Sequence, residues 1–324
     1  MQATSIDLEH FRGRRILVTG AAGFIGGHLV HRLVALGAAV VGLDRVSAAG
    51  FPGERHLVGD VTALDPSIVR EIQPELVFHL ASVVGVTEAA ADPDNTTAAI
   101  VGGTREVLDA AARAGCQHFV YLSSSEVYGE TVAFPITEST PHAPLSAYGK
   151  AKSAAERLVQ EQTEAHGMRA TIIRPFNVYG PRQRLDFVIP RFVSLALRDK
   201  AITLVGDGQQ LRTFTYITDF VAGTLAAVAE KGHGPAIYNI SGADTWNLEA
   251  VAVGLVRALG SRSKIVIVDP ADLHRPPDIE IKHRIASHSL AGRRLGYVPE
   301  VPLMEGIAKV AATMRQPVEL AGVS

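Results

Sequence analysis

Twelve consecutive residues decide the fold of this chain: Arg15-Ile16-Leu17-Val18-Thr19-Gly20-Ala21-Ala22-Gly23-Phe24-Ile25-Gly26. An apolar run leads into three glycines, spaced three residues apart, and a helical pattern follows. Glycine allows a tight turn at Gly20, a close backbone approach at Gly23 and close helix packing at Gly26. The amide groups at the start of the helix can bind the pyrophosphate of a dinucleotide. The stretch therefore predicts a strand, a phosphate-binding turn and a helix.

The same alternation continues through the N-terminal half of the chain. Apolar runs predict six strands, and helical patterns predict three longer helices among them. The strands are Arg15–Val18, Ala39–Leu43, His56–Val58, Leu76–Leu80, Phe119–Leu122 and Ala170–Ile173. The helices are Gly23–Leu36, Thr97–Ala114 and Ala147–His166. Strands that alternate with helices indicate an α/β fold of the Rossmann type, with a doubly wound parallel sheet.

A carboxylate after the second strand bears on the choice of dinucleotide. Asp44 can accept hydrogen bonds from a ribose 2′-hydroxyl and would repel a 2′-phosphate, so NAD is favoured over NADP. Arg45 beside it could instead hold that phosphate. Asp60 is a candidate for adenine binding, with a helix N-cap as the alternative. The predicted cofactor residues are Gly20, Gly23, Phe24, Ile25, Gly26, Asp44, Asp60, Val61, Leu80, Ala81, Ser82, Tyr148 and Lys152.

The pattern changes beyond Pro175, where loops rich in glycine, proline and arginine separate four predicted helices. These helices are Ile189–Arg198, Ile217–Glu230, Leu248–Leu259 and Leu303–Met314. We expect a tail at residues 1–12, an NAD-binding domain at 13–180 and a smaller substrate-binding lobe at 181–324. Some segments of that lobe should return to the main sheet.

Composition restricts the class of protein and its partners. The chain has 324 residues, 47% of them hydrophobic, and a formal net charge of −2, which predicts a globular protein without nucleic-acid or membrane partners. Cys116 is the only cysteine, so no intrachain disulfide can form, and the histidines show no metal-binding spacing. The first eleven residues do not resemble a signal peptide, and no apolar run approaches about 20 residues. We therefore expect a cytoplasmic location.

Tyr148 and Lys152 are spaced for one face of a helix, because they lie four residues apart. A nearby ammonium favours the ionised form of a phenol, so we expect a lowered pKa that lets Tyr148 act as a base. The run Ser123-Ser124-Ser125-Glu126-Val127-Tyr128-Gly129 would bring hydroxyls and a carboxylate to the end of a strand. Such a set could oxidise a sugar alcohol and act on the carbon beside the new ketone.

These motifs together resemble the extended short-chain dehydrogenase/reductase family, in its sugar-nucleotide epimerase/dehydratase branch. The resemblance spans roughly residues 13 to 315 and rests on ordered motifs along the chain. They are the glycine run, Asp60-Val61, His79-Leu80-Ala81-Ser82, the serine-glutamate run, Tyr148-x-x-x-Lys152, Arg174-Pro175-Phe176-Asn177-Val178-Tyr179-Gly180-Pro181, Arg212-Thr213-Phe214-Thr215-Tyr216-Ile217-Thr218-Asp219 and Leu295-Gly296-Tyr297-x-Pro299. Two positions depart from the pattern, since many members carry Asn at Ile100 and Asp at Ser287.

The resemblance implies roles for the matching residues. Tyr148 would be the base, Lys152 would hold the nicotinamide ribose and Ser124 would bind the sugar O4. With Glu126, these residues form the predicted catalytic set. The predicted substrate-binding residues are Ser125, Asn177, Arg182, Arg184, Arg191, Arg212 and Arg275. The resemblance also implies a homodimer, formed through the Thr97–Ala114 and Ala147–His166 helices.

The pair Ser125-Glu126 bears on the reaction. The dTDP-glucose dehydratases carry Asp-Glu there, whereas UDP-glucuronate decarboxylases resemble this chain in a Thr-Ser-Glu run. We therefore expect a UDP-glucuronate decarboxylase that forms UDP-4-keto-xylose, UDP-xylose or both. The alternatives are a 4-epimerase of UDP-glucuronate or UDP-glucose, then a 4,6-dehydratase, and last a non-catalytic NAD sensor. Arg184 is the candidate partner of a sugar carboxylate, with Arg182 and Arg284 as rivals.

Overall fold

The computed structural model describes residues 8–82, 86–232, 236–269 and 281–315. Its centre is a seven-stranded sheet in which every neighbouring pair is parallel, in the order β11-β6-β5-β4-β1-β2-β3. These strands are β1 (Arg15–Thr19), β2 (Ala39–Asp44), β3 (Arg55–Val58), β4 (Leu76–His79), β5 (His118–Leu122), β6 (Arg169–Pro175) and β11 (Ala236–Ile240). Parallel strands end together, so the residues after β1, β4, β5 and β6 meet at one edge.

Helices cover both faces of this sheet. The first face packs α1 (Phe24–Ala35) and α8 (Ile217–Ala229), and the other packs α2 (Pro66–Ile72), α5 (Gly103–Arg113) and α6 (Ala147–Ala165). Two short helices, α3 (Val86–Ala91) and α4 (Pro93–Thr97), precede α5. A π-helical turn, Ala98–Gly102, joins α4 to α5. Buried apolar side chains on both faces account for the largely apolar sequences of the central strands, β1, β4, β5 and β6.

The C-terminal half adds helices, which pack on the first face, and small sheets of two or three short strands. The helices are α7 (Val188–Ala196), α9 (Leu248–Leu259), α10 (Ser289–Leu295) and α11 (Leu303–Arg315). The strands are β7 (Val178–Tyr179), β8 (Ile202–Val205), β9 (Leu211–Thr213), β10 (Thr215–Tyr216), β12 (Thr245–Asn247), β13 (Ile265–Val268) and β14 (His283–Arg284). No helix within the described ranges is long and apolar enough to cross a membrane.

The six predicted strands and the predicted helices are confirmed, with ends shifted by a few residues. The helix predicted from Thr97 starts earlier, because Asp92 caps α4 through the Asn95 amide. The strand β11 had no prediction, although it completes the sheet. Phe11, which precedes β1, is fully buried in the core on the first face of the sheet.

One crossing brings distant segments over the edge of the sheet. The amide of Ile136 donates to the Ile285 carbonyl at 2.7 Å, and the amide of Ser287 donates to the Ile136 carbonyl at 2.9 Å. On the other side, β14 pairs with β9. The segment 283–287 is therefore held between two chain segments, and this fixes the direction of Arg284.

Candidate active site

The glycine turn follows β1 and leads directly into α1. Gly20 has φ +72°, and a Cβ there would lie 2.8 Å from the Ala81 amide nitrogen. A Cβ at Gly26 would collide with the Gly20 carbonyl oxygen. Gly23 is the N-cap of α1, and no side chain caps the helix. The first amides of α1 are therefore suited to an anion such as a pyrophosphate.

The two acidic cofactor candidates differ in their surroundings. Asp44 ends β2, and its carboxylate accepts hydrogen bonds from the amides of Ala22 at 3.0 Å and Val46 at 3.3 Å. It therefore holds the glycine turn against β2, at the place expected for a ribose. Asp60 accepts from the Thr62 amide and hydroxyl, both at 2.8 Å, and caps a short 3₁₀ turn. Asp60 is thus a helix N-cap in this structure, which was the alternative to adenine binding. The hydrogen bond from the Thr62 amide lowers the pKa of its carboxyl.

The serine-glutamate run forms a 3₁₀ turn, Ser125–Tyr128, directly after β5. The Ser124 hydroxyl accepts from the Glu126 amide at 3.1 Å and caps this turn. Gly129 ends the turn with φ +62°, and a Cβ there would collide with the Ala143 carbonyl. The turn thus presents Glu126 at the carboxyl edge of the sheet.

Tyr148 and Lys152 lie in the first two turns of α6, as predicted. Ser146 caps this helix, because its hydroxyl accepts from the Gly149 amide at 3.0 Å. The Lys152 ammonium donates to the Leu122 carbonyl, the last residue of β5, at 2.7 Å. The helix start is therefore fixed against the end of β5, and both side chains lie beside the 3₁₀ turn.

The expected low pKa of Tyr148 was wrong for this structure. Burial raises its pKa to about 12, and the charge of Glu126 adds to the rise. A hydrogen bond with Ser124 and the charge of Arg284 act in the opposite direction. Lys152 is itself nearly fully buried, which lowers its pKa to about 7, although Glu156 opposes that shift. Desolvation therefore outweighs the effect of the ammonium that spacing alone suggested.

An ion pair lies next to the phenol of Tyr148. The Arg284 Nη2 donates to Glu126 Oε1 at 2.6 Å, and both side chains are about one-tenth exposed. The Ser146 hydroxyl donates to the other Glu126 oxygen at 3.3 Å. The Arg284 Nε is buried and has no hydrogen-bond partner within the described part of the chain. A guanidinium with an unused donor thus lies in the predicted catalytic centre.

A second, fully buried ion pair supports the site from below. Arg174 donates to both oxygens of Glu156, at 2.9 and 2.6 Å, and the side chains are about 3% exposed or less. Ser123, just before the 3₁₀ turn, also donates to Glu156. The Arg174 Nη1 donates to the Tyr128 hydroxyl at 2.8 Å, which in turn donates to Asn239 at 2.6 Å. The network joins β5, β6, β11 and α6 around the turn that carries Glu126.

We expect Arg174→Met to lower the free energy of unfolding by about 3 kcal/mol, because Glu156 would remain buried without its charged partner. Chemical denaturation measures this loss. The matched control is Arg55→Met, which breaks the Arg55–Glu71 pair on the surface and should cost less than about 1 kcal/mol. Equal losses in the two variants would contradict the role of the buried pair.

Three of the predicted substrate-binding arginines contact other parts of the chain. Arg184 is half-exposed and pairs with Asp186 at 2.5 Å. Arg182 is exposed and lies over Gly27 of α1, with φ +69°. Arg212 donates to the carbonyls of Ile281 at 2.5 Å and Lys282 at 2.9 Å, next to Arg284.

Four further predicted substrate-binding residues are Asn177, Ser125, Arg191 and Arg275. The Asn177 side-chain amide donates to the Thr213 carbonyl at 3.1 Å and so joins β6 to β9. Ser125 is buried in the 3₁₀ turn, and Arg191 lies half-buried on α7. Arg275 lies outside the described residues. Arg284, and not the first candidate Arg184, pairs with Glu126, because the packing of segment 283–287 brings it there.

The two departures from the family pattern have simple surroundings. Ile100 is buried in the π-helical turn, and its carbonyl accepts from the Thr104 hydroxyl at 2.6 Å. The Ser287 hydroxyl donates to Ser289 at 3.0 Å, near the start of α10. Among the residues that the structure describes, no group of three or more acidic, histidine or cysteine side chains could hold a metal ion.

Comparisons with known proteins agree with this geometry. The model of the NAD dependent epimerase/dehydratase family matches residues 16–241. A UDP-glucose 4-epimerase from Mycolicibacterium smegmatis is 32% identical over 93% of this chain and 98% of its own length. A UDP-N-acetyl-alpha-D-glucosaminuronate decarboxylase from Bacillus cytotoxicus is 32% identical over 94% of this chain and 98% of its own. The solved structure of MoeE5 in complex with UDP-glucuronic acid and NAD is 30% identical, covers 93% of this chain and 98% of its own, and has a TM-score of 0.85. This chain belongs to the NAD-dependent epimerase/dehydratase family, whose members act on nucleotide sugars.

Proposed function

We propose that this protein is a UDP-glucuronate decarboxylase, which forms UDP-4-keto-xylose, UDP-xylose or both. The observation that carries the proposal is the Arg284–Glu126 pair beside Tyr148, with the buried Arg284 Nε still without a partner. A hexuronate brings a carboxylate into the sugar site, and the planar guanidinium matches a carboxylate with paired donors. A hydroxyl of a neutral hexose could accept one hydrogen bond from that donor, but it would bring neither the negative charge nor the two oxygens of a carboxylate. The pair therefore favours an acidic sugar.

The residue before Glu126 is Ser125 and not a carboxylic acid, and this favours decarboxylation over loss of water. A 4,6-dehydratase must protonate a leaving hydroxyl at C6, and Ser125 is too weak an acid for this task. A hexuronate oxidised at C4 is a β-keto acid, because its carboxylate is attached to C5. It loses carbon dioxide when the C5–C6 electron pair moves towards the C4 carbonyl and leaves an enolate. No leaving-group acid is required for that step.

Each group of the site has a defined task in this reaction. Tyr148 takes the proton from the sugar O4 as a phenolate, with Ser124 hydrogen-bonded to it. The positive charge of bound NAD would favour that form, which burial alone disfavours. Arg284 holds the carboxylate before carbon dioxide leaves, and its charge stabilises the negative charge that develops at O4. Glu126 orients Arg284 and controls the proton that is delivered to C5. Ser146 fixes Glu126 to the start of α6.

The cofactor of this family is NAD, and the residues present fit it. When bound, NAD accepts the hydride from C4 and can return it to the 4-keto sugar. The uncapped start of α1 would hold the pyrophosphate, and Asp44 would hold the adenosine ribose. The ammonium of Lys152 would lie near the nicotinamide ribose. Return of hydride gives UDP-xylose, whereas release before that step gives UDP-4-keto-xylose.

A UDP-glucuronate 4-epimerase is the second candidate, and the same arginine supports it. An epimerase must also hold the hexuronate carboxylate, and MoeE5 was solved with UDP-glucuronic acid and NAD. The difference lies in Glu126. An epimerase needs no group that manages a proton at C5, whereas a decarboxylase does.

Product analysis separates these reactions. The purified protein is incubated with UDP-glucuronate and NAD, and the nucleotide sugars are resolved by mass. We expect a product that has lost carbon dioxide. An isomer of unchanged mass would replace the proposal with the epimerase. Loss of water from UDP-glucose or dTDP-glucose, with UDP-glucuronate left unchanged, would replace it with a dehydratase.

The variant Glu126→Gln tests the proton at C5. It keeps an acceptor for Arg284 but loses the carboxyl group that manages the proton at C5, so we expect formation of the pentose nucleotide to fall by about 10²-fold. Oxidation at C4, measured as single-turnover formation of reduced nicotinamide, should fall much less. Equal losses in both steps would remove the proposed role of Glu126.

Three other features are also proposals. The first is the division into an NAD-binding domain and a substrate lobe. The strand β11 comes from the second part but lies in the main sheet. The contacts of Ser125, Asn177, Arg182, Arg191 and Arg212 with the substrate are another. The third is a homodimer through α5 and α6, which the mass of the protein in solution would test.

A further inference from the structure

Lys152 lies against an aromatic face as well as beside Tyr148. Its Nζ is 4.8 Å from the centre of the Tyr121 ring and 5.9 Å from the centre of the Tyr148 ring. The same atom donates to the Leu122 carbonyl at 2.7 Å. Lys152 is 2% exposed, and Tyr121 is 1% exposed. The ammonium is therefore shielded from water, with an aromatic face among its contacts.

Neighbouring groups fix the position of this ring. Tyr121 lies opposite His79 in the β4–β5 register, and the two rings are 6.0 Å apart. Thr104 donates its proton to the Ile100 carbonyl, so it accepts from His79 Nε2 at 3.1 Å, and the other ring nitrogen accepts from Thr19 at 2.8 Å. Burial lowers the pKa of His79 to about 3. The side chains that surround the Tyr121 ring next to Lys152 are therefore ordered and uncharged.

The ring face of Tyr121, and not its hydroxyl, makes the contact with Lys152. The hydroxyl is buried and interacts with Thr104, but it makes no hydrogen bond of good geometry among the residues described. Such a group costs free energy, so the hydroxyl gives no reason for an aromatic residue at this position. The face of the ring carries negative charge density that attracts a cation, and the attraction grows when the cation is desolvated.

We propose that Tyr121 is a positioning residue that holds Lys152 as an ammonium beneath the active site through a cation–π contact. The proposal holds for any nucleotide sugar that the enzyme takes. Burial lowers the pKa of Lys152 to about 7, so a modest attraction decides how much of it is charged near neutral pH. The other titratable groups around the ammonium are Tyr148 and Glu156 on α6 and His79 on β4.

A series of phenylalanine analogues at position 121 tests this proposal. Phenylalanine, 4-fluorophenylalanine and pentafluorophenylalanine have similar volumes, but fluorine progressively removes the negative charge from the ring face. The midpoint of Lys152 protonation is measured by NMR on protein labelled at the lysine ε-carbon, and Lys152→Met assigns the signal. We expect Tyr121→Phe to leave the midpoint unchanged. The pentafluoro variant should lower it by about 0.5 to 1.5 pH units.

Thermal unfolding shows which variants are folded, and the 4-fluoro variant keeps the comparison if the pentafluoro protein is not. A fall that follows the fluorine content supports the cation–π contact. A constant or rising midpoint along the series overturns it. A large shift in Tyr121→Phe also overturns it, because the effect would then belong to the hydroxyl. The measurement uses no sugar substrate, so its outcome is independent of the reaction that the enzyme catalyses.

Discussion

Arg284→Met should lower kcat/KM for UDP-glucuronate by at least about 100-fold, because the substrate carboxylate would lose its charged partner in a nearly buried site. Most of the loss should appear in KM if Arg284 binds the ground state, and in kcat if it acts mainly as charge develops. Arg284→Lys keeps the charge but not the paired donors, so we expect partial activity. Steady-state kinetics with UDP-glucuronate measure all three proteins.

Arg184→Met is the matched control for this experiment. Arg184 is half-exposed and pairs with Asp186, so its loss should change kcat/KM by less than about 3-fold. The amount of NAD bound should be the same in every variant. The opposite result, with a damaged Arg184 variant and an active Arg284 variant, would assign the carboxylate to Arg184.

Tyr148→Phe should reduce oxidation at C4 by about 10³-fold or more, because the phenol that takes the proton of the sugar O4 would be lost. The ring of phenylalanine fills the same space, so folding and the site around it should persist. Single-turnover formation of reduced nicotinamide with UDP-glucuronate measures the step.

Lys150→Met is the control for Tyr148→Phe. Lys150 lies on the same helix and is exposed, so its loss should leave the oxidation rate unchanged. Retained NAD binding in the Tyr148 variant would confirm that only the chemistry is lost. Undiminished oxidation in Tyr148→Phe would show that another residue is the base.

The sequence predicts those parts of the site that depend on local spacing. The glycine turn, the strand before it and the helix after it follow from twelve adjacent residues. Tyr148 and Lys152 share a helix face because they are four residues apart. Ser124 and Glu126 follow a strand directly. Each of these placements requires only one element and its neighbour, so the pattern determines it.

The remaining features depend on packing between distant segments. Arg284 is 158 residues from Glu126, and it reaches Glu126 only because β9 and Ile136 hold the segment that carries it. The expectation of a low pKa for Tyr148 was wrong for a related reason. Spacing shows which residues are near the phenol, but desolvation depends on how completely the fold encloses it. Strand β11 was missed because its pairing with β6 also joins distant parts of the chain.

The fate of carbon 6 of UDP-glucuronate tests the proposed function most directly. UDP-glucuronate that carries ¹³C at this carbon is incubated with the protein and NAD, and the label is followed by NMR. Decarboxylation predicts that the label leaves the sugar as carbon dioxide and bicarbonate, while a pentose nucleotide accumulates. A label that stays in a hexuronate, with the C4 configuration inverted, would contradict decarboxylation and establish the epimerase instead.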